Sequence, residues 1–481
     1  MEDNTKDIKL IKAATSFDVH RKSDYPEVNA VIDIVFEDVK AHRKAKHRRF
    51  RKPQAIKKCI TALVLDLWVA NITSVNPYRY VSKNKTDYQK GTRYRKLYFK
   101  YDVFVGSLND LIELGYIDEV KGYRFENLSI RTRIKAAAKL LNLFRNPASG
   151  IPKLIEQHGI TSVVVKEIEE IELVRLKDKD KNLIDYEDDE HTQQMRSNLE
   201  KINSFISKSK VALHITDNQH AQLIEKVNAV SANDDEKLKI DFTKVYLHRV
   251  FNNSSWDDGG RFYGAWWQTI PKEFRKYIEI NRKETVEVDY SGHHIRILYA
   301  KENLEAPDDP YDIEGIKRDI QKQALLIMLN ADKKISAIYA MMEKGIKGPM
   351  IIIRAIEERH KNISKHFFSG IGNHLMKEDA DLAELVMLKM MERRAVVLPV
   401  HDSFIVRNSY EKELIEVMSE EFSTKYKQEA RLKPKKTVLN EIQEQRELEV
   451  AQGLRTEGQP LELDLKEYFD KYKWYRSIWG S

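Results

Sequence analysis

The chain has only one cysteine, Cys59, in 481 residues. A single cysteine excludes an intrachain disulfide framework and any zinc site that needs several thiolates. No apolar run approaches the roughly 18 residues of a transmembrane helix. The polar, acidic start MEDNTKDIKL does not have the pattern of a signal peptide. We therefore expect a soluble, cytoplasmic protein with no membrane partner.

Acidic residues are missing from one long basic stretch. The residues from Ala41 to Ile60 include nine lysines and arginines and no acid, and Val81 to Lys100 has seven against one aspartate, with tyrosines interleaved. Basic runs with aromatic residues suit the gripping of a phosphate backbone without reading its sequence. A solvated basic face has the same composition, so charge alone leaves both interpretations open. The candidate nucleic-acid-binding residues of the first run are Arg43, Arg48, Arg49 and Arg51.

Local patterns between residues 50 and 144 favour a small α+β domain. Ser107 can cap a helix that Gly115 ends, and two short strands flank a turn at Lys121 and Gly122. Helix, glycine and β-hairpin together resemble a winged helix over about Phe50 to Phe144. The basic neighbours favour DNA binding, and a protein-interaction wing is the alternative. Apolar residues at helical spacing also predict an amphipathic helix directly after the basic run: Ile60, Leu63, Val64, Leu67 and Trp68.

Gly/Ser-rich linkers and internal repeats are also missing, so the next elements follow from local pattern alone. The segment VVVKEIEEIELVRLKDKDKNLIDYE (163–187) alternates and turns at KDKDKN, which predicts a β-hairpin. Arg196 to Lys210 has the pattern of a helix. The chain from Lys433 onward is polar and helical, and we expect the aromatic residues of EYFDKYKWYRSIWGS to dock back onto the body.

Two aspartates stand at the ends of predicted strands. VEVDYSGHHIRILYA (286–300) reads as a strand followed by a helix, with Asp289 exposed at the junction. AVVLPVHDSFIV (395–406) reads as a hairpin with Asp402 at its tip. An aspartate in such a position is more often a cap or a turn residue. Two of them on neighbouring strand ends can instead hold two Mg²⁺ ions about 4 Å apart, as in-line phosphoryl transfer requires.

Four segments resemble the sequence motifs of family A DNA polymerases. VDYSGHHIRILYA resembles motif A, and VHDSF resembles motif C. GGRFYGAWWQTIP (259–271) resembles the family's segment from T-G-R to L-Q-N-I-P, which touches the minor groove of the primer-template. KRDIQKQALLIMLNADKK (317–334) resembles motif B, the fingers helix. The segments occur in the family's order and cover about Asp241 to Tyr410.

The resemblance implies metal and nucleotide sites. Asp289 and Asp402 become the catalytic residues and, with the backbone of Tyr290, the ligands of two Mg²⁺ ions, with Mn²⁺ as an alternative. Arg318 and Lys322 lie four residues apart on one helix face, so both can reach the triphosphate of a dNTP or NTP. The primer 3′-hydroxyl then attacks the α-phosphate.

The resemblance also implies contacts with the template and primer DNA. Arg261 follows two glycines, where a guanidinium can enter the minor groove. Gln268, after two tryptophans, is a second candidate duplex contact, and His401 is expected near the primer terminus. A helicase or other replication proteins are candidate partners of a bacterial, phage or mobile-element enzyme of this kind.

Three positions depart from the family pattern and leave the choice of sugar open. His294 stands where DNA-polymerizing members usually carry a glutamate that excludes the ribose 2′-hydroxyl. Asn330 stands where a sugar-sensing tyrosine is expected. Ser403 follows the motif C aspartate as in single-subunit phage RNA polymerases. The remaining segments resemble those of DNA polymerases more than those of RNA polymerases. An imidazole at 294 can also block or hydrogen-bond a 2′ position, so the sequence favours DNA synthesis.

We therefore predict an α+β fold, a compact right-hand polymerase with palm, fingers and thumb and an N-terminal winged-helix-like domain. The alternatives are a primase or small RNA polymerase, a non-catalytic nucleic-acid-binding protein with a degenerate core, and a metal nuclease. The first 240 residues show no D-x-E pattern leading a strand, so no proofreading exonuclease is expected. The predicted domains are a basic winged-helix-like nucleic-acid-binding domain (1–150), a connecting hairpin and helical thumb-like region (151–240), a palm and fingers core (241–435) and a helical tail (436–481).

Overall fold

The structure is a computed structural model, and it describes residues 11, 14–73, 76–88, 93–94, 100–125, 128–166, 171–230, 240–452 and 473–480. Helices and strands are mixed along the chain. The helices are α1 (Pro26–Ala45), α2 (Pro53–Thr73), α3 (Tyr101–Glu113), α4 (Ala138–Arg145), α5 (Ile151–His158), α6 (Ile160–Val163), α7 (Glu190–Ser207), α8 (Asp217–Val230), α9 (His293–Lys301), α10 (Arg318–Asn330), α11 (Lys334–Glu343), α12 (Pro349–Arg359), α13 (Gly372–Glu392), α14 (Glu411–Tyr426), α15 (Val438–Ala451) and α16 (Lys473–Trp479).

The strands are short, and most pair with strands distant in sequence. They are β1 (Thr15–Ser16), β2 (Arg21–Lys22), β3 (Arg79–Val81), β4 (Ile117–Val120), β5 (Tyr123–Phe125), β6 (Leu128–Ile130), β7 (Thr132–Ala136), β8 (Val165–Lys166), β9 (Val174–Lys177), β10 (Leu183–Ile184), β11 (Val211–Leu213), β12 (His248–Phe251), β13 (Gly259–Tyr263), β14 (Ile278–Ile280), β15 (Lys283–Tyr290), β16 (Leu398–Val400), β17 (Ser403–Arg407) and β18 (Leu432–Pro434). Within the described residues they form a sheet of order β1-β3-β7-β4, a sheet of order β10-β9-β12-β13, a six-stranded sheet of order β11-β14-β15-β17-β16 with β18 beside β15, and the pairs β2-β8 and β5-β6.

Helix α2 is the centre of the N-terminal core. The predicted helix is present, but it is not amphipathic, because almost every residue from Cys59 to Ala70 is buried. A helix that is apolar on all sides must be covered on all sides. Helices α1 and α3 and strands β2 and β7 contact it, and the Phe144 ring of α4 stacks on Trp68 at 4.0 Å between centroids.

The predicted winged-helix pattern is only partly present. Helix α3 begins at Tyr101, so Ser107 lies inside the helix and is not its cap; its buried hydroxyl donates to the Val103 carbonyl at 2.8 Å. Gly115 does end the helical segment, with φ of 73°. The predicted hairpin at Lys121 and Gly122 is wrong. β4 pairs with β7 and β5 pairs with β6, because the strand before the turn finds a longer partner farther along the chain.

The predicted hairpin of residues 163–187 is present as β9 and β10, which pair from Lys177 to Leu183. Strand β9 also runs parallel to β12, so this hairpin extends the sheet that leads into the second half of the chain. The predicted helix 196–210 is α7. It starts six residues earlier than expected, because Asp189 caps it by accepting from the Thr192 amide at 2.7 Å.

Strand β15 is the centre of the six-stranded sheet. It leaves β14 through a two-residue turn in which Asn281 and Arg282 have φ of 54° and 59°, the backbone of a tight hairpin turn. Its far end pairs with β17 on one side and with β18 on the other. Helices α13 and α14 contact each other, and α14 also contacts β15 and β17. The end of β15 is therefore held in place by the strands and helices around it.

The C-terminal end of the described chain is tied to the body. The side chains of Trp474, Ile478 and Trp479 in α16 are buried, so the expected docking of the final aromatic residues is present for this part. The backbone of Trp479 passes so close to Gly159 that a Cβ there would overlap the Trp479 carbonyl carbon. The predicted aromatic residues before Lys473 lie outside the described residues.

A buried network of charges joins the N-terminal region to the start of the second half. Arg21 donates to Asp66 in α2 at 3.0 Å and to Asp241 at 3.0 Å. Lys166 bridges Asp18 and Asp241. Each buried charge in this network has an opposite charge in contact, as buried ions require. In the part of the chain that the structure describes, none of the helices has both the length and the apolar character needed to cross a membrane.

Candidate active site

Asp289 and Asp402 lie at the ends of adjacent strands. In the β15–β17 pair Asp289 is opposite Ser403, so Asp402 is the next residue along. The Tyr290 amide donates to the Asp402 carbonyl at 3.3 Å. β16 and β17 are joined by the two residues His401 and Asp402, with His401 at φ of 58°. The hairpin that the sequence predicted therefore brings its tip aspartate beside the end of β15.

The two carboxylates repel each other. Burial, followed by the charge of Asp402, raises the pKa of Asp289 to about 6. Lys435 and Lys272 act in the opposite direction with smaller effects. Asp289 was expected to be exposed and to be a candidate helix cap; it is half-buried, and helix α9 is preceded by Gly292 with no side-chain cap. A cation bound beside two neighbouring carboxylates reduces the repulsion between them, so this position favours cation binding.

The donor set fits a magnesium ion. The structure carries no metal, and in the described part of the chain no group of three or more His, Cys, Asp or Glu side chains gathers to hold one. Two carboxylates and a backbone carbonyl are few ligands, but they are hard oxygens. Mg²⁺ is usually bound by one or two carboxylates together with water and substrate phosphates. Asp289, Asp402 and the Tyr290 backbone are the residues that would hold it.

Glu287 is a functional candidate that the sequence motifs do not mark. It lies on the same face of β15 as Asp289, two residues earlier. Its Oε1 accepts from the Ser403 hydroxyl at 2.6 Å, from Arg275 at 3.0 Å and from Lys435. The carboxylate therefore links the hydroxyl that follows Asp402 to two cations. The period-two alternation of the strand was the available signal.

Two cations of α10 lie over a tyrosine close to the aspartates. The Arg318 guanidinium and the Lys322 ammonium lie 5.1 and 5.4 Å from the ring centroid of Tyr311. Burial and the charge of Asp402 raise the pKa of Tyr311 to about 12. One ring therefore has two cations of α10 beside it and lies within the electrostatic influence of Asp402. Tyr311 was not among the predicted site residues, because no local pattern marks it.

Pro310 and Tyr311 pack closely against Gly292, just before the start of α9. A Cβ on Gly292, whose φ is 64°, would lie 2.9 Å from Pro310 Cγ and 3.8 Å from the Tyr311 ring. Position 292 therefore needs glycine both for its backbone conformation and for space. Arg318 donates from Nη1 to both carboxylate oxygens of Asp309, at 2.9 and 2.8 Å. Both side chains of this ion pair are more than 40% exposed, so the pair can exchange for another anion.

His294 and Arg261 are brought together by an acid that was not among the predicted site residues. Asp379 of α13 is buried and accepts from Arg261 Nε at 2.8 Å. Arg261 Nη2 lies 3.2 Å from His294 Nε2. Burial lowers the pKa of His294 to about 4, and the pKa of His293, 3.6 Å from Asp379, is lowered to about 4 in the same way. Both imidazoles are neutral at pH 7, and the Arg261 guanidinium is engaged within the protein.

Gln268, His401 and Asn330 are the remaining predicted residues of the second half, and two of them form hydrogen bonds within the protein. The Gln268 amide nitrogen donates to the carbonyls of Phe262 and Pro399, at 2.9 and 3.2 Å, which ties β13 to β16. His401 is exposed at the hairpin tip. Asn330, at the last turn of α10, donates to the Leu326 carbonyl at 2.8 Å and contacts Gly372. It lies about 18 Å along the helix from Arg318, so the structure does not bring Asn330 to the two cations of motif B.

The basic N-terminal run divides into paired and exposed residues. Asp110 of α3 is buried and accepts from Arg43 Nε at 2.5 Å and from Arg48 Nη1 at 3.0 Å. Arg43 itself is buried. Arg49 and Arg51 are exposed, and no ion pair among the described residues includes them. Arg43 is therefore committed to the fold, while the other two remain available to a ligand.

Comparison with known proteins gives a distant structural similarity. No family model matches the chain, and no curated protein matches its sequence. One similar solved structure is the POL domain of Pol1 from M. smegmatis in complex with DNA primer-template and dNTP, at 11% sequence identity and a TM-score of 0.25. The match covers 51% of this chain and 64% of that one, so the chain spans less than two thirds of the length of that structure.

Proposed function

We propose that this protein is a template-directed nucleotidyltransferase, a compact family A-like DNA polymerase that extends a primer without proofreading. The observation that carries the proposal is the convergence of acids and cations on one place. Burial, followed by the charge of Asp402, raises the pKa of both Asp289 and Tyr311, and Arg318 and Lys322 lie over that same tyrosine ring. An acidic pair beside two cations suits a metal–triphosphate substrate, whose metal and phosphates need opposite partners.

Each residue has a distinct part in this proposal. Asp289 and Asp402 would hold the ions, and Mg²⁺ bound there would supply positive charge to the oxygens between which the phosphoryl group moves. Arg318 and Lys322 bind the triphosphate. Arg318 would leave Asp309 to do so, which costs little because exposed ion pairs contribute about 0–1 kcal/mol. Tyr311 stays neutral at pH 7 and lies beside the two cations that bind the triphosphate, so its ring is the candidate contact for the sugar.

Glu287 is a positioning residue in this scheme. It accepts from Ser403 and is neutralised by Arg275 and Lys435. It therefore holds the hairpin that carries Asp402 against β15, and the two cations offset most of its own negative charge beside the pair. The predicted domains 1–150, 151–240, 241–435 and 436–481 remain part of the proposal, with the N-terminal one holding template DNA.

A primase or small RNA polymerase that uses NTPs is the second candidate. Ser403 resembles the RNA polymerase pattern. In addition, the residue at the position of the DNA polymerase gate, His294, is a neutral imidazole bonded to Arg261. No carboxylate stands at that position to exclude a ribose 2′-hydroxyl, so the choice of sugar depends on the neighbouring side chains.

Primer extension tests both candidates. A labelled primer on a DNA template is incubated with Mg²⁺ and either dNTPs or NTPs, with EDTA as the metal-free control. We expect extension with dNTPs, its loss in EDTA and recovery with Mn²⁺ as well as Mg²⁺. Asp402→Asn should abolish it. Asp180→Asn, an exposed aspartate of the β9–β10 turn, is the matched control and should be fully active.

The outcomes separate the alternatives. Extension with NTPs alone, or synthesis without a primer, would favour the primase. If the wild type extends with neither substrate and cleaves no strand, a non-catalytic nucleic-acid-binding protein replaces the proposal. Cleavage of the template that depends on Asp289 and Asp402 would indicate a nuclease.

A further inference from the structure

A cavity of about 440 Å³ lies between the N-terminal elements and the sheet that contains β9. We call it the tyrosine pocket. Phe17 follows β1, Tyr80 lies in β3, and Tyr88 closes the turn after β3; β9 contributes Arg175, and the segment before β12 contributes Lys244 and Tyr246. None of these residues belongs to the aspartate centre. The volume is that of a site for a small organic ligand or a nucleotide.

The walls of the pocket are rich in aromatic side chains. Tyr88 lies 6.0 Å from Phe104 and Phe17 lies 5.4 Å from Phe104, ring centroid to ring centroid, so the three form one cluster. The guanidinium groups of Arg131 and Arg133 lie 5.3 Å from the Tyr80 ring. Tyrosine rings in a groove with nearby cations are the side chains on which nucleobases stack.

Two cations in the pocket wall have no carboxylate partner within the described residues. Arg175 is half-buried, and its Nε donates to the Glu172 backbone carbonyl at 3.2 Å. Lys244, also half-buried, forms no ion pair among the residues that the structure describes. Burial lowers the pKa of both groups. The charges of Asp241 and Asp18 act on Lys244, and that of Glu172 acts on Arg175, in the opposite direction and with smaller effects than burial. Asp18 and Asp241 are both in ion pairs with Lys166.

A partly buried cation without an ion pair is costly, because the surrounding acids repay only part of its desolvation. Two half-buried cations that line one cavity together with tyrosines are explained by an anionic ligand that brings an aromatic group. An acidic peptide would satisfy the cations and leave the aromatic wall without a partner. A nucleoside phosphate satisfies both.

We propose that the tyrosine pocket binds a nucleoside 5′-phosphate unit, with the phosphate between Arg175 and Lys244 and the base against the tyrosine rings. The unit is either a free mononucleotide or the end of a single strand, since both present the same chemistry. The site is separate from the aspartate centre, so it holds whether or not the chain polymerises nucleotides.

Photo-crosslinking of the full chain with 4-thiothymidine 5′-monophosphate tests the proposal. We expect labelled peptides that contain Tyr80, Tyr88 or Tyr246, identified by mass spectrometry. Unlabelled thymidine 5′-monophosphate should protect at about tenfold lower concentration than thymidine, because thymidine has no phosphate to accept hydrogen bonds from the two cations. Labelling only elsewhere, or equal protection by thymidine, would overturn the proposal without any variant.

Variants assign the phosphate-binding side chains. Arg175→Gln combined with Lys244→Gln should reduce labelling of these peptides about tenfold or more, while Lys179→Gln, an exposed cation on the neighbouring turn, should leave it unchanged. Because neither replaced cation has a carboxylate partner among the described residues, the melting temperature should not fall. Asp402→Asn should keep the labelling, which separates this site from the proposed active site. Unchanged labelling in the double variant would contradict the assignment.

A second arm identifies the source of the unit. A pentathymidylate with the same photoreactive base at its 5′-phosphorylated end is titrated beside the mononucleotide. A half-saturating concentration several-fold lower for the pentamer supports a strand end as the ligand. Equal concentrations support a free nucleotide.

Discussion

Two basic segments of this protein, the N-terminal run and helix α10, differ in how their cations are paired with acids. In the N-terminal run, Arg43 is buried against Asp110, and Arg48 shares the same carboxylate. In α10, Arg318 has an exposed partner, and Lys322 lies over the Tyr311 ring with no ion pair among the described residues. Both segments look alike as basic sequence. Arg43 and Arg48 are held by a buried acid, whereas both cations of α10 keep their charge available to a ligand.

The difference lies in where the opposing charge comes from. Asp110 belongs to α3, more than sixty residues after Arg43, and tertiary packing delivers it to the arginine. A cation with a buried counter-charge stabilises the fold, and removing either partner leaves a buried ion uncompensated. A cation with an exposed partner contributes little to stability. The comparison therefore predicts that variants in the two segments affect different measurements.

Asp110→Asn should have the largest effect on stability. Its removal leaves Arg43 buried without a carboxylate, so we expect the free energy of unfolding to fall by about 3 kcal/mol. Urea denaturation followed by circular dichroism measures it. Glu37→Gln breaks the exposed Glu37–Lys40 pair on α1 and should stay within about 0.5 kcal/mol of wild type. An equal, small change in both variants would contradict the distinction between buried and exposed pairs.

Lys322→Gln should have the opposite profile. If its ammonium binds the triphosphate, kcat/KM for nucleotide incorporation should fall by about 10²–10³, the usual cost of removing one group that stabilises developing charge. The free energy of unfolding should change by less than about 0.5 kcal/mol. Lys333→Gln, an exposed lysine just before α11, controls for charge and should keep full activity. A loss of stability without a loss of activity would show that Lys322, like Arg43, stabilises the fold.

The local elements could be predicted from the sequence, because each depends on spacing along the chain. The strand that ends at Asp289 and the hairpin with Asp402 at its tip follow from alternation and turn residues, and both are present. The helix of Arg318 and Lys322 was expected from the resemblance to motif B, and it is present as α10. Contacts between elements that are distant in sequence could not be predicted in this way. Nothing local shows that β4 prefers β7 to β5, or that α2 is covered on every side.

The same limit applies to the candidate site. Asp289 and Asp402 could be paired only through resemblance to known motifs, and the register of β15 with β17 then brings them side by side. Glu287, Tyr311 and Asp379 were missed, since their importance comes from what packs against them. An acid on a helix, such as Asp379, is an ordinary surface residue in sequence until Arg261 and His293 are found beside it.

Asp289→Asn tests the contrast between Asp289, which lies beside a second acid, and Asp110, which is paired with arginines. A raised pKa means that the folded state holds the proton more tightly than the unfolded state. Stability therefore falls as pH rises from the ordinary value of 3.8 through about 6. In EDTA at pH 8, the variant should be more stable than wild type by about 1–2 kcal/mol, since solvent screens part of the shift. At pH 4 the two should be equal.

Chemical denaturation at the two pH values, with Asp180→Asn as the control, measures this effect. Added Mg²⁺ should stabilise the wild type and remove the difference, because the ion binds only when both carboxylates are present. A variant that is less stable than wild type at pH 8 would show that Asp289 is a structural acid like Asp110.

Arg49→Gln combined with Arg51→Gln should give the smallest effect, and it tests whether the exposed part of the N-terminal run binds nucleic acid at all. For each arginine that neutralises a phosphate, its replacement should lower the slope of log affinity against log salt by about 0.9. Fluorescence anisotropy of a labelled duplex at several KCl concentrations measures it, and Lys40→Gln, whose charge is paired on the surface, is the matched control. The unfolding free energy should not change. If the slope is unaltered, the run is a solvated basic face.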